Sequence, residues 1–214
     1  MKNLVITGAH GSLGKVLETT FLNFDWKVEA ASHHELDVTN STAIRKYFKS
    51  RQLDLLVCAA GITRDAPLVC MQENQWNDVL AVNYKGAADC AVAVLPEMIR
   101  QGHGHIVFIS SYSALHPAVG QAAYAASKAA LLGLTVDLAA KYGSYNIRVN
   151  TVLPGFIETK MTETVSALRK VQILSDHSLR RFNTLTAVAK FILHLHEDLL
   201  CTSGQVFQLD SRIS

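Results

Sequence analysis

The run Leu55-Leu56-Val57-Cys58-Ala59-Ala60 constrains the fold of this chain more than any other feature, because it is of strand length and apolar at every position. A strand with one face in water alternates polar and apolar residues, so an unbroken apolar strand belongs to a sheet covered by helices on both faces. Including this run, strands are predicted at Asn3–Thr7, Val28–Ala31, Leu36–Asp37 (a short one), Leu53–Ala59, His105–Ser110, Arg148–Leu153 and Val206–Leu209. Helical periodicity fills the intervals at Ser12–Phe24, Ser41–Lys49, Trp76–Gln101, Ala123–Tyr142 and Thr186–His196. This alternation predicts an α/β protein with a doubly wound parallel sheet in three layers, α/β/α. At 214 residues and 49% hydrophobic, the chain suits one sizeable core and is short for two, so residues 1–214 are read as a single domain.

Directly after the first predicted strand comes Thr7-Gly8-Ala9-His10-Gly11-Ser12-Leu13-Gly14, which opens the first helix. Glycine here lets the chain turn tightly and bring backbone N–H groups against a pyrophosphate, whose charge the helix N-terminus also favours. Gly8, His10, Gly11, Leu13 and Gly14 are therefore candidate contacts to a dinucleotide, and the domain reads as a Rossmann fold. The second strand ends at Ala31-Ser32-His33-His34, without the carboxylate that would bind both ribose hydroxyls of NAD. Ser32 and a protonated His33 are candidate donors to a 2′-phosphate, so the reading leans to NADP(H), with NAD(H) as the alternative.

The chemistry is carried by Tyr124-Ala125-Ala126-Ser127-Lys128. A spacing of four puts phenol and ammonium on one helix face, where Lys128 can favour the phenolate of a tyrosine whose ordinary pKa, about 10, is too high for proton transfer at neutral pH. Upstream, the strand ending Ile109-Ser110-Ser111 delivers hydroxyls to the carboxyl edge of the sheet, where open α/β folds bind ligands, and Ser111 is suited to hold a substrate oxygen. Asn83 is a polar residue in a helix that otherwise packs into a core, so it needs a partner; a water joining it to Lys128 would make a proton path.

Other classes find little support. The formal charge of +2 is scattered, which argues against nucleic acid or an anionic membrane as partner. Cys58, Cys70, Cys90 and Cys201 form no CxxC pair and are read as reduced core thiols of a cytoplasmic protein. The short apolar run at the N-terminus fits neither a signal peptide nor a spanning helix. Asn40-Ser41-Thr42 is better read as a helix N-cap than as a glycosylation acceptor. His103-x-His105 and His194-x-His196 lack a third ligand nearby, so no metal is expected.

Taken together, these residues resemble the short-chain dehydrogenase/reductase family in its compact branch, over almost the whole chain. Within it the likeness is greatest to the 3-oxoacyl-acyl-carrier-protein reductases, through Ala60-Gly61-Ile62-Thr63-Arg64-Asp65, Tyr124 to Lys128, and Leu153-Pro154-Gly155-Phe156-Ile157-Glu158-Thr159. The resemblance implies that Ser111, Tyr124, Lys128 and Asn83 form the catalytic tetrad. It also implies that Asp37 and Val38 meet the adenine, that Ala60 and Gly61 line the cofactor, and that Ile157 and Thr159 hold the carboxamide. It further implies an NAD(P)-dependent reduction of a carbonyl to a secondary alcohol, on a small or carrier-protein-bound acyl substrate, by a homodimer or homotetramer. The chain departs from the pattern at Cys58-Ala59, where the branch has two asparagines; at Ser12, where it has a glycine; in the short segment before Asp37; and at its end, Gln208-Leu209-Asp210-Ser211-Arg212-Ile213-Ser214, which lacks the usual terminal glycines. Residues Thr159–Arg181, of mixed polarity, are expected to be a substrate lid. A dehydrogenase of another secondary alcohol and a non-catalytic dinucleotide sensor remain open as alternatives.

Overall fold

In a computed structural model describing residues 1–213, the apolar runs pair as a six-stranded, wholly parallel sheet of order β2-β1-β3-β4-β5-β6. The strands are β1 (Asn3–Thr7), β2 (Lys27–Ala31), β3 (Leu55–Cys58), β4 (Gly104–Ile109), β5 (Ile147–Leu153) and β6 (Val206–Gln208). Because successive side chains of a strand point to opposite faces, β4 sends Ile106 and Phe108 to one side and Val107 and Ile109 to the other. On the first side lie α2 (Ser41–Phe48), α4 (Ala87–Gln101) and α5 (Ala122–Tyr142), packed through Ile44, Met98 and Leu131. On the second lie α1 (Ser12–Leu22) and α7 (Leu185–Glu197), packed through Phe21 and Ile192. The two buried faces explain the apolar monotony of β3.

Strand order reverses at β1: the chain moves outward to β2, then crosses back to place β3 on the other flank. Such a switch leaves a crevice beyond the carboxyl ends of β1 and β3, the place where open α/β sheets take ligands. One helical run breaks form. Between α3 (Glu73–Leu80) and α4, residues Ala81–Gly86 make a π-helical turn. The run from Glu73 to Gln101 is long and apolar enough to cross a membrane, yet its α4 half lays Cys90, Ala91, Val94 and Met98 against the sheet.

The structure departs from expectation at Leu36–Asp37 and at two cysteines, adds a helix within the expected lid, and bears out the cap at Asn40. Leu36–Asp37 is not a strand: β2 is the sheet edge, and the chain leaves it in a turn in which Ser32 O accepts from Glu35 N and Leu36 N, while Leu36 plugs the core. The segment expected as a lid contains a helix, α6 (Ala167–Asp176), that buries only Ile173 and so left little periodic signal. Of the cysteines, Cys58 and Cys90 are buried but Cys70, at the end of a short 3₁₀ turn that buries nothing, and Cys201, in the turn before β6, are exposed. Asn40 does cap α2, its side chain accepting from the N–H groups of Thr42 and Ala43.

Candidate active site

The crevice is built around two glycines. Gly8 has φ +67°, and a β-carbon there would stand 2.6 Å from the α-carbon of Ala60, so backbone meets backbone across the switch with nothing between. Thr7 Oγ1, at the end of β1, accepts from Ala60 N at 3.3 Å and ties the two strand ends together. Helix α1 begins after Gly11, whose lack of a side chain leaves the first N–H groups unshielded toward the crevice. On the far wall, Gly61 leaves a gap beside two polar groups: a β-carbon would lie 3.4 Å from Lys128 Nζ and 3.5 Å from Asn83 Oδ1.

Asn83 sits in the π-helical turn, and its burial there is complete enough that every polar atom must be answered. Its Oδ1 accepts from Ile62 N (2.8 Å), and its Nδ2 donates to Ile62 O (3.0 Å) and Ser127 Oγ (3.1 Å). Asn83 thus clamps the Gly61–Ile62 segment to α5. The extra residue of a π turn re-aims one side chain out of helical phase, which is how a helix of core-packing residues delivers an amide here.

Lys128 is 4% exposed, and Nζ donates to Ile109 O at 2.8 Å. Burial without a carboxylate partner pushes its pKa down to about 8, with the Cys58 thiol drawing it slightly the other way. Tyr124, one turn earlier, has its ring centroid 5.9 Å from Nζ. Sequence reasoning expected Lys128 to lower the phenol pKa, but the structure reverses the sign: burial raises it, a hydrogen bond with Ser111 partly opposes this, and the Asp65 carboxylate adds to the rise. The ammonium spends its hydrogen bond on a backbone carbonyl rather than on the phenol. Ser111 caps the short turn Tyr112–Ala114, its hydroxyl accepting from Ser113 N.

Several contributors carried no sequence signal as single residues. Ser110 Oγ donates to Lys128 O (2.8 Å) and locks β4 to α5, while Ser127 Oγ donates to Tyr124 O and receives Asn83. Gln121 receives a hydrogen bond from Ser113 and donates to Asp65, joining the loops after β4 and β3. Glu35 also escaped notice. Its carboxylate accepts from Ser32 N at 2.8 Å, a bond that lowers its pKa, aided by nearby His10 and His34.

The adenosine side differs in detail from expectation. Ser32 is buried and its N–H is occupied by Glu35; exposed His33 lies 3.8 Å from Asp37, whose carboxylate accepts from Thr39 N and Oγ1. The side chain of Val38 packs in the core beside Gly86, leaving only its backbone for a ligand. Ile157 packs against the core of the α1 face, and Thr159 caps the turn Lys160–Thr162. Cys58 answers its position with a weak contact to Ala87 O at 3.8 Å in place of an amide. The histidines judged too sparse for a metal do partly meet, but at the opposite edge of the sheet: His105 Nδ1 is 3.4 Å from His196 Nδ1, and His105 Nε2 is 3.1 Å from Asn150 Nδ2.

Comparison with known proteins gives the geometry a context. Residues 2–170 match the family described as short chain dehydrogenase. The chain is 37% identical, over 98% of its length and 96% of the relative's, to a 3-oxoacyl-[acyl-carrier-protein] reductase of Thermotoga maritima. A reductase of the same name from Staphylococcus aureus is 42% identical over 68% of this chain and 59% of its own length. Among solved structures, a 3-oxoacyl-[acyl-carrier protein] reductase from Brucella melitensis superposes with a TM-score of 0.89, covering 97% of this chain and 89% of that one at 24% identity, which speaks for the fold.

Proposed function

The chain belongs to the short-chain dehydrogenase family, and from that premise we propose that it reduces the ketone of a 3-oxoacyl thioester, presented on an acyl-carrier protein, to a secondary alcohol. The observation that carries this reading is the convergence of Tyr124, Lys128, Asn83 and Ser111 beside Gly61 and the end of β4. The crevice fits a nicotinamide dinucleotide: Gly8 lets the end of β1 close on the Ala60 backbone, Gly11 leaves the first N–H groups of α1 uncapped for a pyrophosphate, and Gly61 leaves a bare wall beside the polar pair. In this reading the turn from Gly8 through His10, Gly11 and Leu13 to Gly14 holds the pyrophosphate. Ser32, His33, Asp37 and the Val38 backbone hold the adenosine end, Ala60 and Gly61 line the middle, and Ile157 and Thr159 hold the carboxamide.

The dinucleotide supplies the hydride when bound; the protein supplies orientation and the proton. Ser111 orients the carbonyl oxygen. Tyr124 donates the proton, and its raised pKa keeps the phenol protonated at neutral pH, the form an acid requires. Lys128, titrating at about 8, is poised to return that proton, while Asn83 keeps the Ile62 segment and α5 in register. The segment from Thr159 to Arg181 covers the acyl chain, and the enzyme works in the cytoplasm as a homodimer or homotetramer.

The test is oxidation of NADPH and NADH with a short 3-oxoacyl thioester. Tyr124→Phe should lower turnover by about 10²–10⁴-fold while dinucleotide affinity is kept. Cofactor binding by the wild type without turnover would refute the substrate assignment. We propose NADP(H) as the preferred form, on the donors around Ser32 and His33. One observation favours NAD(H) instead: the Glu35 carboxylate on Ser32 N would repel a 2′-phosphate. Glu35→Gln separates the two: NADPH preference should rise if this carboxylate disfavours a 2′-phosphate, and no change would leave Glu35 outside the choice.

A further inference from the structure

The end of the chain, which departs from the family pattern, forms a buried polar knot that the reaction above does not use. Asp210 follows β6 with its side chain fully enclosed. Its Oδ1 accepts from Gln208 Nε2 (3.0 Å) and Arg212 N (3.3 Å), and its Oδ2 accepts from Arg212 Nε (2.8 Å) and from Arg212 Nη2. His177 Nδ1 donates to Ile173 O, while its Nε2 stands 3.9 Å from Oδ2 as a buried atom without a hydrogen-bond partner, so the donors to the carboxylate come from Arg212 and Gln208.

This knot touches three segments around the crevice. A β-carbon on Gly155, which has φ +80°, would lie 2.5 Å from Asp210 Cβ, so Asp210 packs directly on the backbone of the loop leaving β5. Ser211 O accepts from Ser178 N (2.9 Å) and Ser178 Oγ (3.0 Å), just beyond α6, and His177 pairs with Arg212 as an antiparallel bridge. The Arg212 guanidinium lies 3.3 Å from the ring centroid of Tyr112, whose ring also stacks on His116 at 4.4 Å. Tyr112 begins the turn that Ser111 caps.

We infer that Arg212, anchored by Asp210, is a positioning residue for the proposed reduction: by clamping Tyr112 it holds the turn that aims the Ser111 hydroxyl at Tyr124. The inference rests on the roles given to Ser111 and Tyr124 above. A planar guanidinium suits the task because it can fork onto a carboxylate and stack on an aromatic face at once, which an ammonium cannot.

The experiment compares Arg212→Ala, Arg212→Lys, Tyr112→Leu and the double variant Arg212→Ala/Tyr112→Leu. Loss of the clamp should lower kcat about ten- to a hundredfold through misplacement of the hydroxyl, with KM and dinucleotide affinity unchanged. Because the Ser111 hydrogen bond lowers the Tyr124 pKa, and oxidation of the alcohol needs the phenolate as base, the limb on which the reverse rate rises with pH should also move upward in Arg212→Ala. Arg212→Lys should recover part of kcat, and it carries the test if Arg212→Ala fails to fold. Tyr112→Leu should match Arg212→Ala, and the double variant should lose no more than either alone. Wild-type kcat and pH profile in Arg212→Ala, or losses that multiply in the double variant, would overturn the inference. Hydrogen exchange at the amides of Ala114, Leu115 and His116, which bond within this turn, gives a readout independent of turnover. Faster exchange there in Arg212→Ala supports the clamp and unchanged exchange overturns it, even if the wild type reduces no 3-oxoacyl thioester and only the substrate assignment falls.

Discussion

Protonation of His196 is expected to make the fold acid-labile below pH 6.5. The ring is buried at the end of α7, edge-on to Trp26 and stacked on His105. Asn150 Nδ2 can only donate, so His105 Nε2 is an acceptor, His105 Nδ1 carries the proton, and His196 Nδ1 accepts it. A proton on His196 Nδ1 would set two donors face to face. Burial, with nearby Arg148 and Lys2, accordingly pushes the His196 pKa down to about 4. The folded value lies below the unfolded one of about 6.5, so the unfolded chain takes up the proton first. Stability from this group is complete above pH 6.5, declines as pH falls toward 4, and is flat below that. Between pH 7 and pH 5 the loss is about 2 kcal/mol for this residue. His105 is shifted in the same direction. Urea titrations followed by circular dichroism at both pH values measure it, with His196→Gln as the control, because glutamine can accept from His105 Nδ1 yet does not titrate. The drop from pH 7 to 5 should shrink by about 2 kcal/mol in His196→Gln, the carboxylates common to both proteins cancelling. Equal drops would refute the reasoning.

Two further outcomes follow from packing. Gly8→Ala would force a β-carbon to 2.6 Å from Ala60 Cα, so dinucleotide affinity, measured by fluorescence titration, should fall at least about tenfold and stability by about 1–3 kcal/mol. Asn83→Ala removes three hydrogen bonds and strands part-buried backbone groups of Ile62, so chemical denaturation should show a loss of about 1–3 kcal/mol alongside lower kcat.

The layering was legible because it depends on pattern: continuous apolar runs mark a sheet buried on both faces, and the five helices with clear periodicity appear within a few residues of their expected bounds. The spacing from Tyr124 to Lys128 was legible for the same reason, since one helix sets it. The glycine turn was legible because only glycine tolerates the contact between Gly8 and Ala60, although that contact itself lies between residues far apart in sequence. Helix α6 was not legible, because a surface helix that buries one residue carries almost no periodicity.

What tertiary structure decided is which partner each polar group finds. Sequence placed Lys128 one turn from Tyr124, but folding directs an N–H of its ammonium to Ile109 O and desolvates both groups, so the phenol pKa rises where local spacing implied a fall. Sequence showed no carboxylate at the end of β2, yet the turn beyond that edge strand folds Glu35 back onto Ser32. It showed two weak histidine pairs, and the fold joined one member of each in a buried stack. Periodicity and glycine chemistry are local properties that a chain displays along its length; desolvation and hydrogen-bond pairing depend on which distant segments close over a group, and these exist only once the sheet has assembled.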